Sequence, residues 1–149
     1  MLPRFLVALI LSLTLVSGFI TAPQRPTNFQ LKAAKLVTPS EALAIVEKGG
    51  AYLDVRTETE YKSGHPLPSV NAPIYVEDEQ GMLIGNPVFL PTVEALFGKD
   101  ETLVVGCLAG PRSTAACEML EGAGYTDLVN VKGGWKAWAW EGLPYASNV

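Results

Sequence analysis

The sequence has little of what a metal cluster or a disulfide framework needs. Its 149 residues include two cysteines, Cys107 and Cys117, and one histidine, His65. A structural zinc site takes four such ligands, and disulfide-stapled domains carry several cysteine pairs. We therefore expect no bound metal and no cofactor.

Positive charge is also scarce. The chain has 11 Lys and Arg against 15 Asp and Glu, which gives a net charge of −4, and it contains no run of basic residues. A nucleic-acid-binding domain would show a basic face, so that class of partner is excluded. The apolar fraction of 48% and the charged fraction of 17% are typical of a globular protein, and the length suits one domain.

The first residues differ from the rest of the chain. A short basic start, Met1–Arg4, precedes sixteen residues from Phe5 to Ile20 that are apolar apart from Ser, Thr and Gly. The run is shorter than the roughly 18 apolar residues of a membrane span, and the small residues Ser17 and Gly18 suit a cleavage site. The pattern predicts a signal peptide over residues 1–18, with a retained membrane anchor as the alternative.

Residues 19–34 form a second unusual segment. They include Arg25 and Lys32, two prolines and no acid, and acid-poor basic leaders are typical of transit peptides. A signal peptide followed by such a leader resembles the bipartite plastid-targeting sequences of algae with secondary plastids. The segment thus predicts plastid targeting. The alternative is a linker in a protein that is secreted or anchored in a membrane.

Strand and helix patterns alternate through residues 35–149. This alternation predicts an α/β domain with a mainly parallel sheet. Strands are expected at 51–55, 70–74, 102–106 and 128–131, a loop at 64–68 and a polar surface excursion at 77–86. Helices are expected from Thr38, which with Glu41 three residues later has the pattern of a capping box, over 57–63, 88–97 and 113–122, and from Gly133 onward. On the fourth helix we expect Ala115, Ala116, Met119 and Leu120 to face inward, and on the last helix Trp135, Trp138 and Trp140 to pack on the sheet.

A cysteine follows the apolar strand 102–106 directly, in the loop Cys107-Leu108-Ala109-Gly110-Pro111-Arg112-Ser113. Ligands of parallel sheets bind at the carboxyl ends of strands. The N-terminus of the next helix and the Arg112 charge would both stabilise a thiolate and lower the pKa of Cys107. Gly110 permits a tight turn or a close approach to an anion. Ser113 can cap the helix or donate to that anion.

The alternative for Cys107 is a buried and unreactive thiol, the usual state of a free cysteine. The neighbouring Gly, Arg and Ser favour a reactive cysteine in an anion-binding loop. Cys117 lies ten residues further along the chain and is expected in the core. His65 is expected to be structural, because a Cys–His pair requires it beside the nucleophile.

The pattern Cys107-x-x-Gly110-x-Arg112-Ser113 resembles the active-site loop of rhodanese-like sulfurtransferases. Further motifs of that family follow in its order: Leu53-Asp54-Val55-Arg56, Glu60-Tyr61, Gly64-His65, Asn71-Ala72-Pro73, Gly133-Gly134-Trp135-x-x-Trp138 and Gly142-Leu143-Pro144. The pairs at 81–82, 86–87 and 89–90 resemble single-domain plant plastid and senescence-associated members. The resemblance runs from about Leu36 to Pro144.

The resemblance implies a rhodanese domain over residues 35–149, with about five strands and helices on both faces of the sheet. It implies that Cys107 takes a sulfur atom from thiosulfate or another persulfide donor and passes it to a thiol or cyanide. Leu108, Ala109, Gly110, Pro111, Arg112 and Ser113 would bind the substrate anion. Asp54 and Arg56 would brace the loop or pair with Glu60, with contact to the substrate as the alternative because they lie at a strand end. The protein is expected to be a monomer that meets a membrane only if its N-terminal segment is retained.

Three details of the loop bear on the substrate. Four residues separate Cys107 from Arg112, whereas related cell-cycle phosphatases have five and so accommodate phosphate. Leu108 stands where family members often have a polar or charged residue, and Pro111 removes one backbone N–H. Both are expected to weaken thiosulfate turnover and to favour a persulfide donor. The alternatives are a binding or sensing module of weak activity and an arsenate reductase or phosphatase.

Overall fold

The computed structural model describes residues 33–147. The predicted signal peptide and nearly all of the predicted leader lie outside the described residues. In chain order the elements are β1 (Lys35–Val37), α1 (Pro39–Glu47), β2 (Ala51–Asp54), α2 (Glu58–Ser63), β3 (His65–Pro66), β4 (Val70–Asn71), β5 (Tyr75–Glu77), β6 (Leu83–Gly85), α3 (Phe89–Leu96), β7 (Leu103–Gly106), α4 (Pro111–Gly122), β8 (Leu128–Val131), α5 (Gly134–Trp140) and β9 (Tyr145–Ala146).

Five of the strands form the central sheet, in the order β1-β8-β7-β2-β4. Every neighbouring pair in it is parallel. The α/β fold with a parallel five-stranded sheet is therefore confirmed. All five strands end at the same edge of the sheet, where ligands of such folds bind, and the central strand β7 ends there immediately before Cys107.

Alternate residues of the strands pack against helices on opposite faces of the sheet. Tyr52 and Val104 point to the face covered by α1 and α5, where Trp138 is fully buried. Leu53 and Val105 point to the face covered by α3 and α4. This is the period of two expected of strands that are buried on both faces, and it confirms helices on both faces.

Capping boxes fix the starts of α1 and α2. The predicted start of α1 is confirmed, with Thr38 as its cap and Glu41 as the reciprocal partner. Thr57 and Glu60 repeat the arrangement at α2. Each box satisfies backbone N–H groups that a helix start leaves without a partner. At α2 it also fixes the position of the Glu60 carboxylate.

Several short strands were not predicted correctly. The expected loop 64–68 contains β3, which pairs antiparallel with β9, and the expected strand 70–74 shrinks to the two residues of β4. The expected polar excursion 77–86 is most of the β5–β6 hairpin. Leu83 and Ile84 of this hairpin are exposed, so no alternation of buried and exposed residues marks its strands. Strand β1 was missed for the same reason, because two of its three residues are exposed.

Two predictions about inward-facing residues were also partly wrong. On α4, Ala116 and Leu120 are fully buried, whereas Met119 is 44% exposed. On α5, Trp135 and Trp138 pack on the core, but Trp140 is 91% exposed. Residues three or four apart share a helix face, and Trp140 lies two residues beyond Trp138, on the opposite side. Within residues 33–147, no helix is both long enough and apolar enough to cross a membrane.

Candidate active site around Cys107

The loop between β7 and α4 wraps around the sulfur of Cys107. Helix α4 begins at Pro111, two residues before the predicted start, and Gly110 is its N-cap residue with φ +125°. A side chain is strained at that φ, which explains the glycine. The backbone N–H of Gly110 donates to the Cys107 Sγ at 3.0 Å. Cys107 itself is only 1% exposed.

Two opposing influences determine the pKa of the Cys107 thiol. Burial raises it, while hydrogen bonds from the Ser113 side chain and from the backbone N–H groups of Ser113, Gly110 and Ala109 lower it. The net pKa lies below its ordinary value, as the sequence predicted. The hydrogen-bond donors at the helix start are the main lowering influence, because the Arg112 charge is offset by a carboxylate.

Ser113 lies inside α4 rather than at its cap. Its hydroxyl is 2.8 Å from the Gly110 carbonyl and 2.7 Å from Asn130 Oδ1, and it also contributes to the lowered pKa of Cys107. Asn130 Nδ2 donates in turn to Thr114 Oγ1 at 3.0 Å. The hydroxyl has one proton for three acceptors, so Asn130 competes with Cys107 for it. Sequence reasoning missed Asn130, which only the packing of β8 against α4 brings to the loop.

Arg112 forms a bidentate ion pair with Glu60. Its Nη1 lies 2.6 Å from Glu60 Oε2, and its Nη2 lies 2.7 Å from Oε1. The hydrogen bond from Arg112 is the largest influence that lowers the pKa of Glu60, to about 2. Both groups are therefore charged at neutral pH. The geometry is the planar fork that makes Arg–carboxylate pairs strong.

Asp54 and Arg56 form a second pair behind the first. Arg56 Nε is 3.0 Å from Asp54 Oδ1, and Nη2 is 2.7 Å from Oδ2. Both residues are 1% exposed. Arg56 also donates to the carbonyls of Glu60 and Gly64, and it stacks over the Trp135 ring. The expected pairing with the Glu60 carboxylate is wrong, because that carboxylate binds Arg112. The buried pair braces α2.

The N-terminus of α5 holds the other side of the loop. Trp135 donates its backbone N–H to the Cys107 carbonyl at 2.7 Å, and Lys136 donates to the Leu108 carbonyl at 3.1 Å. Gly134 lies against the same segment, with φ +55° and no room for a Cβ, which would be 2.2 Å from the Cys107 carbonyl oxygen. Sequence reasoning identified the two glycines at 133 and 134 only as a helix start and missed this role.

The remaining candidates are placed as follows. Leu108 is half-buried, and Ala109 and Pro111 are exposed. His65 stacks on Tyr61 with ring centroids 3.8 Å apart, and its Nδ1 lies 2.9 Å from the Tyr61 carbonyl.

Cys117 is buried in the core cluster that also contains Cys107. Burial, reinforced by the Glu121 charge, raises the pKa of Cys117 to about 12, so its thiol is protonated at neutral pH.

Comparison with known proteins supports the similarity seen in the motifs. Residues 38–141 match the family model of the rhodanese-like domain. Thiosulfate sulfurtransferase 16, chloroplastic, of Arabidopsis thaliana is 42% identical over 96 residues, which cover 64% of this chain and 79% of that protein. Protein HIGH ARSENIC CONTENT 1, mitochondrial, of the same plant is 35% identical over 121 residues, which cover 81% and 70%. Several of the plant relatives have chloroplastic in their names.

Solved structures resemble the fold as well. The rhodanese-related protein of Thermoplasma volcanium superposes with a TM-score of 0.59 at 28% identity, over 75% of this chain and 97% of that one. A match over three quarters of this chain at that TM-score supports the same architecture.

Proposed function

Since the chain belongs to the rhodanese-like domain family, we propose that it is a sulfurtransferase that carries a sulfane sulfur on Cys107. The observation that carries this proposal is the hydrogen bond of 3.0 Å from the Gly110 N–H to the Cys107 Sγ. A thiolate at the start of a helix, with its pKa lowered, is the reactive form of cysteine. The name of the Arabidopsis thiosulfate sulfurtransferase supports the same activity.

In the first half-reaction, the Cys107 thiolate attacks the outer sulfur of thiosulfate. A bond forms between Sγ and that sulfur, and the bond to the sulfonate sulfur breaks, so its electron pair leaves with sulfite. With a persulfide donor, the leaving group is the donor's thiolate. The product is a Cys107 persulfide anion, for which the N–H groups of the loop are the natural hydrogen-bond donors.

In the second half-reaction, cyanide or a thiolate attacks the outer sulfur of the persulfide. The bond between the two sulfurs breaks, and its electron pair returns to Cys107 as thiolate. The charge stays on sulfur within the same group of donors throughout, so little reorganisation is needed. Because Cys107 is almost fully buried, donors and acceptors must present a slim terminal group rather than a branched one.

Mass spectrometry of the full-length protein tests the proposal. After incubation with thiosulfate or with cysteine persulfide, and removal of the donor, the chain should gain one sulfur atom, about 32 Da, as covalent catalysis requires. Cys107→Ser should gain nothing. Cys117→Ser is the matched control and should still be loaded.

Absence of the adduct with both donors would overturn the sulfurtransferase proposal and favour a binding or sensing module. Reduction of arsenate at Cys107 by a protein that takes up no sulfur would favour the arsenate-reductase alternative instead.

We propose further that the protein acts as a monomer in the plastid, where several relatives are placed by their names. A fluorescent protein fused to the C-terminus of the full chain should enter the plastid in an alga with secondary plastids. Secretion or retention in the endomembrane system would overturn this destination. Sedimentation of the purified full chain at its monomer mass tests the oligomeric state.

A further inference from the structure

Both arginines of the site are bound by carboxylates. Arg56 is buried with Asp54, and Arg112 is held at both terminal nitrogens by Glu60. The bidentate pair takes one N–H from each terminal nitrogen of Arg112 and places a full negative charge against the guanidinium. The two positive charges are therefore offset before any substrate arrives.

Glu60 is held in place independently of Arg112. The backbone N–H and the hydroxyl of Thr57 both donate to Glu60 Oε2, at 3.1 and 3.0 Å. The side chains of Arg112 and Glu60 are 19% and 29% exposed, so solvent screens their attraction less than it does at an exposed pair. A ligand that needs the Arg112 guanidinium must compete with a carboxylate that is already in position.

The rest of the loop offers no compensating charge. Leu108, Ala109 and Pro111 are apolar, and Pro111 has no N–H to donate. Lys136 contacts the loop through its backbone, but its side chain is exposed and its charge is screened by solvent. Thiosulfate carries two negative charges and must approach a Cys107 thiolate. Persulfides of thiols carry the same transferable sulfur with less charge on it.

We infer that Glu60 is a specificity-determining residue, which by holding Arg112 disfavours dianionic sulfur donors such as thiosulfate and favours persulfides of lower charge. The inference rests on the proposed transfer of sulfur through Cys107. It differs from that proposal in assigning the choice of donor to a residue on α2, outside the loop itself.

Glu60→Gln tests this assignment. The amide can still accept from Thr57 but no longer neutralises Arg112. We expect the ratio of kcat/KM for thiosulfate to kcat/KM for cysteine persulfide to rise roughly tenfold, the scale of one charge-assisted contact. The gain should come mainly from a lower KM for thiosulfate. It should disappear in the double variant Glu60→Gln with Arg112→Gln.

Glu58→Gln is the matched control. Glu58 is on the same helix and pairs with Lys62 rather than with Arg112, so the variant removes the same charge without freeing the guanidinium. If Glu58→Gln raises the ratio as much as Glu60→Gln, the effect is one of overall charge and the inference is wrong. If neither variant changes the ratio, Glu60 has a structural role only, and the inference is also wrong.

A binding measurement separates this inference from the proposed function. In a Cys107→Ser background no sulfur can be transferred, and Glu60→Gln should still raise the equilibrium affinity for thiosulfate roughly tenfold. If wild type is never loaded with sulfur, the proposed function fails. The affinity for thiosulfate then decides the role of Glu60 in anion discrimination. An affinity that Glu60→Gln leaves unchanged would overturn that role.

A second variant covers the case in which Glu60→Gln does not fold. Leu108→Lys adds a cation to the loop while the Arg112–Glu60 pair stays intact. If missing positive charge limits the use of thiosulfate, this variant should also raise the ratio of kcat/KM for thiosulfate over that for cysteine persulfide. An unchanged ratio would show that charge is not what discriminates between the donors.

Discussion

Gly134 and Cys107 lie in direct backbone contact, although they are far apart in sequence. A Cβ on Gly134 would come within 2.2 Å of the Cys107 carbonyl oxygen, and the neighbouring Trp135 N–H donates to that oxygen at 2.7 Å. The start of α5 therefore fixes the carbonyl side of the loop. The N–H groups of Gly110 and its neighbours face the sulfur on the other side.

Gly134→Ala should distort the loop and lower stability. Both the positive φ and the clash with backbone atoms oppose a side chain, so we expect a loss of about 2 kcal/mol or more in the free energy of unfolding. Chemical denaturation of the full-length variant measures this loss, and mass spectrometry measures whether Cys107 is still loaded with sulfur.

Gly142→Ala is the control for that variant. Gly142 also has a positive φ, +66°, but a Cβ at this position would meet no atom within 4 Å. The substitution should therefore lower the free energy of unfolding by only about 1–2 kcal/mol, the cost of a side chain in a left-handed backbone conformation. Equal losses for the two variants, with sulfur loading unchanged in both, would show that the contact between Gly134 and Cys107 has no special role.

Ser113→Ala should raise the pKa of Cys107. The Ser113 hydroxyl is among the donors that lower this pKa against the effect of burial, and its loss favours the protonated thiol. The absorbance of the thiolate in the ultraviolet, taken as the difference from Cys107→Ser, should show a titration midpoint at higher pH than in wild type. Thr114→Ala removes a neighbouring hydroxyl that donates to Gly110 and should shift the midpoint less. A midpoint that Ser113→Ala leaves unmoved would contradict the assigned hydrogen bond.

Glu60 should make stability sensitive to acid. The pKa of Glu60 is lowered from 4.5 in the unfolded chain to about 2 in the folded one. The carboxylate therefore contributes fully to the free energy of unfolding above pH 4.5, and this contribution is lost as the pH falls toward about 2. Denaturant unfolding at a series of pH values should therefore show a smaller acid loss in Glu60→Gln than in wild type. Glu58→Gln should lose nearly as much stability in acid as wild type does. A smaller acid loss in Glu58→Gln than in Glu60→Gln would count against the Arg112–Glu60 pair.

Cys117→Ala should weaken the fold slightly and leave sulfur loading intact. The residue is 3% exposed, and its replacement leaves a small cavity worth about 1 kcal/mol. The raised pKa of its thiol, about 12, keeps it unreactive at neutral pH. Denaturation and intact mass are the two measurements. Loss of the sulfur adduct in this variant would mean that Cys117 takes part in transfer.

Local sequence patterns were sufficient to predict the main helices and the central strands of the sheet. Thr38 and Glu41 predicted the first helix because a capping box is formed by residues three apart. The apolar stretch before Cys107 predicted the central strand because both of its faces are buried. The position of Cys107 at a helix start, with its pKa lowered, followed from the same local pattern, since a strand, a glycine-containing turn and a helix start are contiguous in the chain.

The partners of the charged residues were not predictable in this way. Arg112 and Glu60 are 52 residues apart, and only the tertiary fold brings the start of α4 to α2. The sequence suggested Glu60 as a partner of Arg56, whose own carboxylate partner is two residues away at Asp54. The β5–β6 hairpin was not predicted because Leu83 and Ile84 of β6 are exposed, so no alternation of buried and exposed residues marks that strand.

A complete single turnover shows whether Cys107 carries the transferred sulfur. The full-length protein is loaded with thiosulfate or cysteine persulfide whose outer sulfur is isotopically labelled, freed of donor, and then given cyanide. Peptide mapping should place the label on Cys107, and cyanide should release it as thiocyanate in about one equivalent per loaded chain, as transfer through one covalent intermediate requires. The chain then returns to its original mass. Label found on Cys117, or an adduct on Cys107 that cyanide and thiols cannot remove, would contradict a sulfur-carrying role for Cys107.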